Sequence, residues 1–378
     1  MSELVITEAK NDVLVGSDGT HYIDLFSAFG ATFLGHVNPQ VTAVVRRQLD
    51  KLWMIGAIST PIREEAARLV NGFFPDTHQL AGLYSTGMEA AEFAIRHARV
   101  TTGRNGFVGF DRGMHGKSMA TAFLGWNNRD GVELPQFHRL PFLPAMSEVD
   151  ILSQLHDRLA GREVAAVFVE PLQGSGGGYQ ASDEFYHRVE ACCRETGTLL
   201  VFDEILTGFY RTGVSFFHIG AGLCPDTILI GKALGNGFPV AGVVTRTAHP
   251  VVPQMLPSST FSGNPLAAAA VVGTLTELNR LPIESFVADI HQQIRSSLQS
   301  LSGDGVAIRG CGACWVVEFP ESVDGRQLVS AIYRRGVAVG FGGGFMRLMP
   351  PATVDPENLK SACSTVVDEV NRALSLQP

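Results

Sequence analysis

The sequence predicts an α/β fold, and two features of its hydrophobic pattern carry the prediction. Segments such as residues 89–100 and 184–195 repeat apolar residues at three- and four-residue spacing, as amphipathic helices do. Between and after them lie short apolar runs without alternation, which are typical of strands buried on both faces of a parallel sheet. These runs are residues 106–110, 164–169, 198–202 and 227–230. Strands that alternate with helices favour a parallel sheet covered by helices.

The bulk composition agrees with a folded enzyme of about two domains. The chain has 378 residues, of which 45% are hydrophobic and 17% charged, which argues against a disordered chain. Its net charge is −8 and no basic stripe occurs, so no nucleic-acid partner is expected. No run of about 18 apolar residues predicts a membrane span. Residues 1–10 resemble neither a signal nor a transit peptide, so the cytoplasm is the expected location.

Elements outside the sheet can also be predicted in chain order. A hairpin is expected within residues 13–25, around Ser17-Asp18-Gly19-Thr20. Proline-rich residues 134–144 and 250–257 are interpreted as surface loops.

The last third of the chain predicts a separate α+β unit. A long Ala-rich helix is expected at residues 266–278 and another at about 283–301, where Pro282 suits a helix start. Strands are expected near residues 307–319 and 337–349.

Six cysteines in a long chain favour reduced thiols over a disulfide framework. The sequence Cys311-Gly312-Ala313-Cys314 has the CxxC spacing of zinc and redox sites. A structural zinc site normally needs a second ligand pair, and the sequence offers none. Residues 308–319 also look like a buried strand, where Cys serves as a small apolar residue. The CxxC is therefore predicted to be structural.

Lys232 stands out among the five lysines of the chain. It follows the apolar run 227–230 and is flanked by the small residues Gly231 and Ala233. A lysine desolvated at the end of a buried strand has a lowered pKa and becomes a nucleophile toward an aldehyde. The alternative is an ordinary strand-end lysine whose ammonium group reaches solvent.

Two further motifs are compatible with a small phosphorylated cofactor. Asp203-Glu204 ends an apolar strand, where a carboxylate could pair with a protonated pyridine nitrogen, act as a helix cap or bind a metal. Small residues in Tyr84-Ser85-Thr86-Gly87-Met88 lead into a helix, whose free N–H groups could bind a phosphate. Glu89 could equally cap that helix with Ser85 or Thr86.

Taken together, these motifs resemble one family, the class III pyridoxal-phosphate aminotransferases of fold type I. The resemblance covers nearly the whole chain. It is carried by DGTHYID at residues 18–24, LGHVNP at 34–39, DEILTGFYRTG at 203–213, GKALGNGFP at 231–239 and RLMPP at 347–351.

The resemblance implies a large domain with a mostly parallel seven-stranded sheet between helices, plus a smaller α+β domain. The large, cofactor-binding domain would span residues 51–265. Residues 1–50 would contribute to the small domain, which is completed by residues 266–378.

The cofactor implied by the resemblance is pyridoxal 5′-phosphate, held as an internal aldimine on Lys232. Lys232 would also move the proton between the substrate and the cofactor. Asp203 would keep the pyridine nitrogen protonated, and Ile205 would pack on the ring. The other positions expected to bind the cofactor are Thr86, Gly87, Met88, Met114, His115 and Thr260.

For substrates, the resemblance implies a small-molecule amino donor and a carbonyl acceptor. Arg347 would bind a substrate carboxylate with its planar guanidinium group. Ser259 and Ser175 are also expected in the substrate site. The resemblance further implies a homodimer, in which Thr260 reaches the phosphate of the neighbouring subunit's cofactor.

This sequence departs from the family pattern at several positions. Met114 stands where Phe or Tyr usually stacks on the ring, and Leu206 stands where many members have Gln. Ornithine-type members carry Glu at the position of Ser175, where it pairs with the arginine matching Arg347. Without that Glu, a donor other than ornithine is favoured. Lys117 also replaces an arginine of those members.

The short N-terminal segment makes Ala28, Phe29 and Trp53 candidates for the substrate pocket. The predicted function is ping-pong transamination from an amino acid donor to a ketone or aldehyde acceptor. The alternatives are an aminomutase, decarboxylase or racemase on the same scaffold, and a catalytically inactive binding homologue. The last conflicts with the intact Lys232 and Asp203.

Overall fold

The computed structural model describes residues 4–126, 134–251, 259–301 and 305–375. Its strands are β1 Ile6–Lys10, β2 Val13–Gly16, β3 His21–Asp24, β4 His78–Tyr84, β5 Gly106–Phe110, β6 Phe137–Leu140, β7 Val164–Val169, β8 Leu199–Asp203, β9 Thr227–Ile230, β10 Ala241–Arg246, β11 Ala307–Cys311, β12 Cys314–Glu318, β13 Val337–Ala338, β14 Gly340–Gly342 and β15 Phe345–Leu348. Its helices are the short turn α1 Ser27–Gly30, then α2 Pro39–Leu49, α3 Pro61–Asn71, α4 Gly87–Thr102, α5 Met119–Ala122, α6 Glu148–Ala160, α7 Asp183–Thr196, α8 Phe217–Gly220, α9 Pro265–Arg280, α10 Ile283–Leu298, α11 Gly325–Arg334 and α12 Pro356–Ser375.

The predicted α/β architecture is confirmed by a seven-stranded sheet of order β4-β10-β9-β8-β7-β5-β6. Strands β6, β5, β7, β8 and β9 pair in parallel, whereas β10 is antiparallel to both of its neighbours. The four apolar runs correspond to β5, β7, β8 and β9, with β8 displaced by one residue. The large sheet is therefore mostly parallel, as expected.

One part of the loop prediction was wrong. Within residues 134–144, β6 pairs with β5 at the edge of the sheet. An edge strand has one neighbour and is only partly buried, so its hydrophobic signal is weak. The prolines that flank β6 also favoured the interpretation of this segment as a loop. Most of the other predicted loop, residues 250–257, lies outside the described residues.

Both faces of the large sheet are covered, which explains the apolar runs without alternation. Val167 and Val169 of β7 belong to the core formed with α6 and α7. Ala166 and Phe168 of the same strand belong to the core formed with α4. Because successive side chains of a strand point to opposite faces, all of them must be apolar here.

Two four-stranded sheets complete the fold. The first has the order β1-β2-β3-β13, so the N-terminal hairpin shares a sheet with residues 337–338. The second has the order β11-β12-β15-β14. The segment expected to be one buried strand at residues 308–319 is in fact a hairpin, which turns at Gly312-Ala313. The boundaries at residues 50 and 265 stay a prediction.

Helices α9 and α10 begin within one residue of their predicted starts. The Ala-rich face of α9 packs closely on α2 and α3. Within the described residues, no helix is long and apolar enough to cross a membrane.

Candidate active site

A cavity of about 340 Å³ lies beyond the carboxyl ends of β8 and β9. Ligands of open parallel sheets gather at this edge. The lining brings together many of the residues singled out in the sequence, although they are far apart in the chain. They are Ser85, Thr86, Gly87, Met88, Met114, His115, Ile205 and Lys232, together with Ala31, Gly116 and residues 237–240.

Lys232 lies in this cavity, directly after β9 and Gly231. Its backbone is left-handed, with φ of 44°, a conformation that is costly for a non-glycine residue and concentrates at functional sites. Burial lowers the pKa of Lys232, although the carboxylates of Glu170 and Asp203 act in the opposite direction. A larger neutral fraction makes the amine a better nucleophile.

Asp203 ends β8 and is held from two sides. Its Oδ2 lies 2.8 Å from Nδ1 of His115, and its Oδ1 accepts a hydrogen bond from the N–H of Ile205. Burial opposes protonation of His115, but the hydrogen bond and the charge of Asp203 raise the pKa of the imidazole overall. The carboxylate is therefore fixed in place in a site almost without solvent.

The neighbouring carboxylate, Glu204, has a different surrounding. Its oxygens accept hydrogen bonds from the hydroxyl of Thr207 and from the backbone N–H groups of Phe217 and His218. Nδ1 of His218 also lies 2.6 Å from Oε1 of Glu204. Glu204 therefore organises the chain after β8, and of the two adjacent carboxylates it is Asp203 that pairs with a cavity residue, His115.

The start of α4 is arranged to leave N–H groups free. Thr86 is the N-cap, and its hydroxyl accepts a hydrogen bond from the N–H of Glu89. The Glu89 carboxylate in turn accepts hydrogen bonds from the N–H groups of Ser85 and Thr86. This capping box leaves the N–H groups of Gly87 and Met88 without a hydrogen bond among the described residues.

Gly87 also keeps the space beside this helix start open. A Cβ atom added there would lie 2.6 Å from Cδ1 of Ile205. Free N–H groups at the positive end of a helix dipole bind phosphate well. The helix start and the absence of a side chain at Gly87 thus form a cradle of the kind a phosphate fits.

Glu170 is a site residue that sequence reasoning missed. It follows β7, and its Oε2 accepts a hydrogen bond of 2.8 Å from the N–H of Met114. Burial raises the pKa of this carboxyl to about 7. The signal that could have found it is the one that found Asp203, because both carboxylates follow the end of a buried apolar strand.

Arg347 lies on β15 and is 8% exposed. Its guanidinium carbon is 5.7 Å from the ring centroids of Phe29 and Phe345. Its Nε has no hydrogen-bond partner, and no carboxylate of the described residues forms an ion pair with it. Burial lowers the pKa of Arg347. A buried cation without an acidic partner is suited to bind an anion.

The turn α1 connects Arg347 with the cavity. Phe29 lies against Arg347, and Ala31 lines the cavity that holds Lys232. Between them, a Cβ atom at Gly30 would lie 3.2 Å from Leu206. Ala28 and Phe29 both have left-handed backbones, with φ of 49° and 61°. Leu206 itself packs in an apolar cluster with Leu172, Cys314 and Met349.

Other predicted positions are not brought into the cavity of this single chain. Thr260 is exposed, and Ser259 donates a hydrogen bond to Glu89 instead. Ser175 is half-buried in the turn after β7. The Nζ of Lys117 lies 4.9 Å from the ring centroid of Trp126. Trp53 is 62% exposed, and its Nε1 donates to the carbonyl of Leu49.

The CxxC flanks the turn of the β11–β12 hairpin. Cys311 and Cys314 face each other in register, and both are free thiols. Burial raises the pKa of Cys311 to about 12 and also raises the pKa of Cys314, so neither favours the thiolate form. The described residues contain no cluster of side chains suited to hold a metal ion.

Comparison with known proteins identifies relatives that are similar over nearly the whole of this chain. The family described as aminotransferase class-III matches residues 1–370. A LysW-aminoadipate semialdehyde/glutamate semialdehyde transaminase of Sulfurisphaera tokodaii is 31% identical over 370 residues, which are 95% of this chain and 92% of the relative. The acetylornithine aminotransferase of Halalkalibacterium halodurans is 32% identical, over 98% of this chain and 96% of the relative.

A solved structure shows the same architecture. The ornithine aminotransferase from Toxoplasma gondii superposes with a TM-score of 0.90 at 26% identity, over 99% of this chain and 92% of that chain. In that ornithine aminotransferase, pyridoxal phosphate partially occupies the active site.

Proposed function

The chain belongs to the class III aminotransferases, and from that premise we propose that Lys232 is the residue that carries its cofactor. The enzyme is a pyridoxal-phosphate-dependent aminotransferase, which moves an amino group from a small-molecule donor to a keto acceptor. Transamination is also the activity named for the curated relatives, so an aminomutase, decarboxylase or racemase is not favoured. The single observation that carries the proposal is the desolvated Lys232 in a cavity beside Asp203.

The side chains of the cavity fit pyridoxal 5′-phosphate. The start of α4 offers the N–H groups of Gly87 and Met88 to the phosphate, beside the open space at Gly87. Asp203 offers a buried carboxylate to the pyridine nitrogen, and Ile205 and Met114 offer apolar contacts to the ring. When bound, this cofactor supplies an aldehyde that accepts the amino group and a ring that withdraws electrons.

The roles that we assign to the protein follow from these positions. Lys232 would hold the cofactor and, once released by the substrate amine, would move a proton from the substrate carbon to the carbon of the cofactor that carried the aldehyde. Burial lowers the pKa of this amine, which favours the neutral form that can accept a proton. Asp203, oriented by His115, would favour the protonated form of the pyridine nitrogen, because a carboxylate stabilises a nearby positive charge.

We propose that the substrates carry a carboxylate that binds to Arg347. The support is the buried guanidinium group, which has no acidic partner among the described residues and lies against Phe29, two residues before Ala31 of the cavity lining. A guanidinium group binds a carboxylate through two parallel hydrogen bonds. Ser175 offers no acid that could compete for Arg347, which favours a donor other than ornithine.

We further propose a homodimer in which Thr260 contacts the phosphate of the neighbouring subunit's cofactor. Arg63 donates hydrogen bonds to the carbonyls of Ile58 and Gly263, so the two loops are tied together. Ile58 and Phe261 on these loops are 65% and 66% exposed. Large exposed apolar side chains of this kind are typical of a subunit interface. The predicted cytoplasmic location stays a prediction.

The proposal for Lys232 is tested by trapping the cofactor. The purified enzyme is loaded with pyridoxal phosphate, reduced with borohydride and mapped by peptide mass spectrometry. We expect the label on Lys232 and its loss in Lys232→Ala, while the control Lys360→Ala stays labelled at Lys232. A label on another lysine would refute the assignment.

A half-reaction tests the direction of the chemistry. Donor alone should convert the enzyme stoichiometrically to the pyridoxamine form, and a keto acid should restore the visible absorbance. A racemase would turn over the donor without that conversion. Light scattering tests the dimer, because it should give twice the mass of one chain. Thr260→Ala should weaken cofactor binding without changing this dimer mass.

A further inference from the structure

Glu170 connects two parts of the cofactor pocket. The chain between β5 and α5 contains an irregular turn, in which Arg112 and Gly116 have φ of 69° and 139°. Its side chains Met114 and His115 line the cavity. Glu170 comes from the neighbouring strand β7 and accepts the N–H of Met114 at 2.8 Å.

The base of this turn has its own hydrogen bonds, since Asp111 donates to the carbonyl of Leu140 and Nε2 of Gln173 donates to the carbonyl of Asp111. Gly113 donates to the carbonyl of Phe110 at the base of the turn. Beyond it, the side chain of His115 pairs with Asp203. In the described part of the chain, the hydrogen bond to Glu170 is the one that holds the backbone of the turn between these points. Loss of it would free Met114 to move away from the ring face.

The carboxyl of Glu170 also lies among charges. His115 and Lys232 favour its ionised form, whereas Asp203 opposes it. Among the described residues, the charge of Glu170 also acts on Cys314 of β12 and Tyr186 of α7. Because burial dominates, the pKa of Glu170 is raised to about 7, so its charge changes near neutral pH.

We propose that Glu170 is a positioning residue that holds the Met114–His115 turn against the cofactor and, through its charge, adjusts the His115–Asp203 pair. The proposal rests on the proposed function, since it assumes that the cavity binds pyridoxal phosphate. Both roles come from the same carboxyl group. One needs only a hydrogen-bond acceptor, and the other needs an ionisable group.

Two substitutions separate these roles. Glu170→Gln keeps an oxygen that accepts the Met114 N–H but cannot ionise, whereas Glu170→Ala removes both properties. Glu163→Gln is the matched control, because Glu163 is an exposed carboxylate at the opposite end of the same strand. All variants are compared as holoenzymes, with circular dichroism as a check of folding.

Cofactor affinity tests the first role. We expect Glu170→Ala to raise the cofactor dissociation constant about tenfold, as for the loss of one charge-assisted hydrogen bond. Glu170→Gln should stay within about threefold of the wild type, since the neutral acceptor remains. Glu163→Gln should bind the cofactor as the wild type does.

The pH dependence of the cofactor's visible absorbance tests the second role. Between about pH 6 and 8, the wild type and Glu163→Gln should show a transition that is absent or shifted by about one pH unit in Glu170→Gln. Equal losses of affinity in both Glu170 variants, with an unchanged pH profile, would reduce Glu170 to a structural residue and overturn the proposal.

The remaining outcomes are also decisive. Wild-type affinity and an unchanged pH profile in both Glu170 variants would overturn the proposal as well. If Glu170→Ala does not fold, the pH profile of Glu170→Gln decides alone. Failure of the borohydride label on wild-type Lys232 would instead refute the proposed function, so the two failures can be distinguished.

Discussion

Arg347 and Arg211, the two arginines that are buried among the described residues, should respond in opposite ways to replacement by methionine. Arg347 has an Nε without a hydrogen-bond partner and forms no ion pair with a described carboxylate. Arg211 is fully buried and instead holds the fold together. Its guanidinium group donates hydrogen bonds to the backbone carbonyls of Gly30, Ala313 and Pro350.

The effect on stability can be estimated from these contacts. Arg211→Met leaves three buried carbonyls short of a donor, at roughly 1–3 kcal/mol each, partly offset by removal of a buried charge, so we expect a net loss of about 3 kcal/mol. Arg347→Met loses two cation–π contacts of about 0.5–1 kcal/mol each but also removes an unpaired buried charge. Its stability should therefore stay within about 1 kcal/mol of the wild type.

These energies translate into melting temperatures. An unfolding entropy of roughly 2.1 cal/mol/K per residue gives about 0.8 kcal/mol/K for 378 residues. Arg211→Met should then lower Tm by about 4 °C, and Arg347→Met should change it by about 1 °C. Differential scanning calorimetry of both variants measures the difference.

The effect on activity should have the reverse order. Loss of a bidentate, partly desolvated contact to a carboxylate costs about 3 kcal/mol or more, which lowers kcat/KM for a carboxylate-bearing donor about 150-fold. A matched amine without the carboxylate should react equally well with Arg347→Met and the wild type. Equal losses for both donors, or a Tm as low as that of Arg211→Met, would refute the assignment of Arg347.

Three further predictions follow from the site. Gly87→Ala should weaken cofactor binding about tenfold without unfolding the enzyme, because the new Cβ would lie 2.6 Å from Cδ1 of Ile205 and displace it. Fluorescence titration of the cofactor measures this change. An unchanged affinity would contradict the proposed phosphate site at the start of α4. Burial raises the pKa of Glu170 from 4.5 to about 7, so between these pH values the folded cofactor-free enzyme binds a proton that the unfolded chain does not. The free energy of unfolding should therefore fall as pH rises from about 4.5 to 7. In denaturant titrations, Glu170→Gln should not show the part of this pH-dependent decrease in the free energy of unfolding that Glu170 causes. Replacement of Cys311 and Cys314 by alanine should retain activity and lower the free energy of unfolding by about 1–2 kcal/mol. A chelator should not change the Tm of the wild type, and a drop in Tm would indicate a bound metal.

Much of the fold could be predicted because burial on both faces of a sheet leaves a strong local signal. Residues 106–110, 164–169 and 227–230 are strands with the predicted bounds. The edge strand β6 was missed, since a partly buried strand between prolines resembles a loop. The turn inside residues 308–319 was missed because two antiparallel strands of a buried hairpin form one apolar run.

For the site, the sequence could indicate residue types at strand ends but not their partners. The strand-end pattern did not distinguish Asp203 from Glu204, and only the family resemblance selected Asp203. In the structure Asp203 pairs with His115 beside the cavity, whereas Glu204 binds the backbone after β8. Glu170 follows a strand in the same way, and only its hydrogen bond to Met114 marks it as part of the site.

The sequence by itself determined the α/β class and the family resemblance and predicted Lys232 as the cofactor lysine, because these depend on local hydrophobic pattern and short motifs. Tertiary structure decided that Asp203 and Glu170 contact His115 and Met114 of the cavity lining, and that Arg347 has no acidic partner among the described residues. It also decided that the N–H groups of Gly87 and Met88 have no hydrogen-bond partner among those residues. Such properties depend on desolvation and on contacts between residues far apart in the chain. Neither is encoded in the local pattern of any single segment.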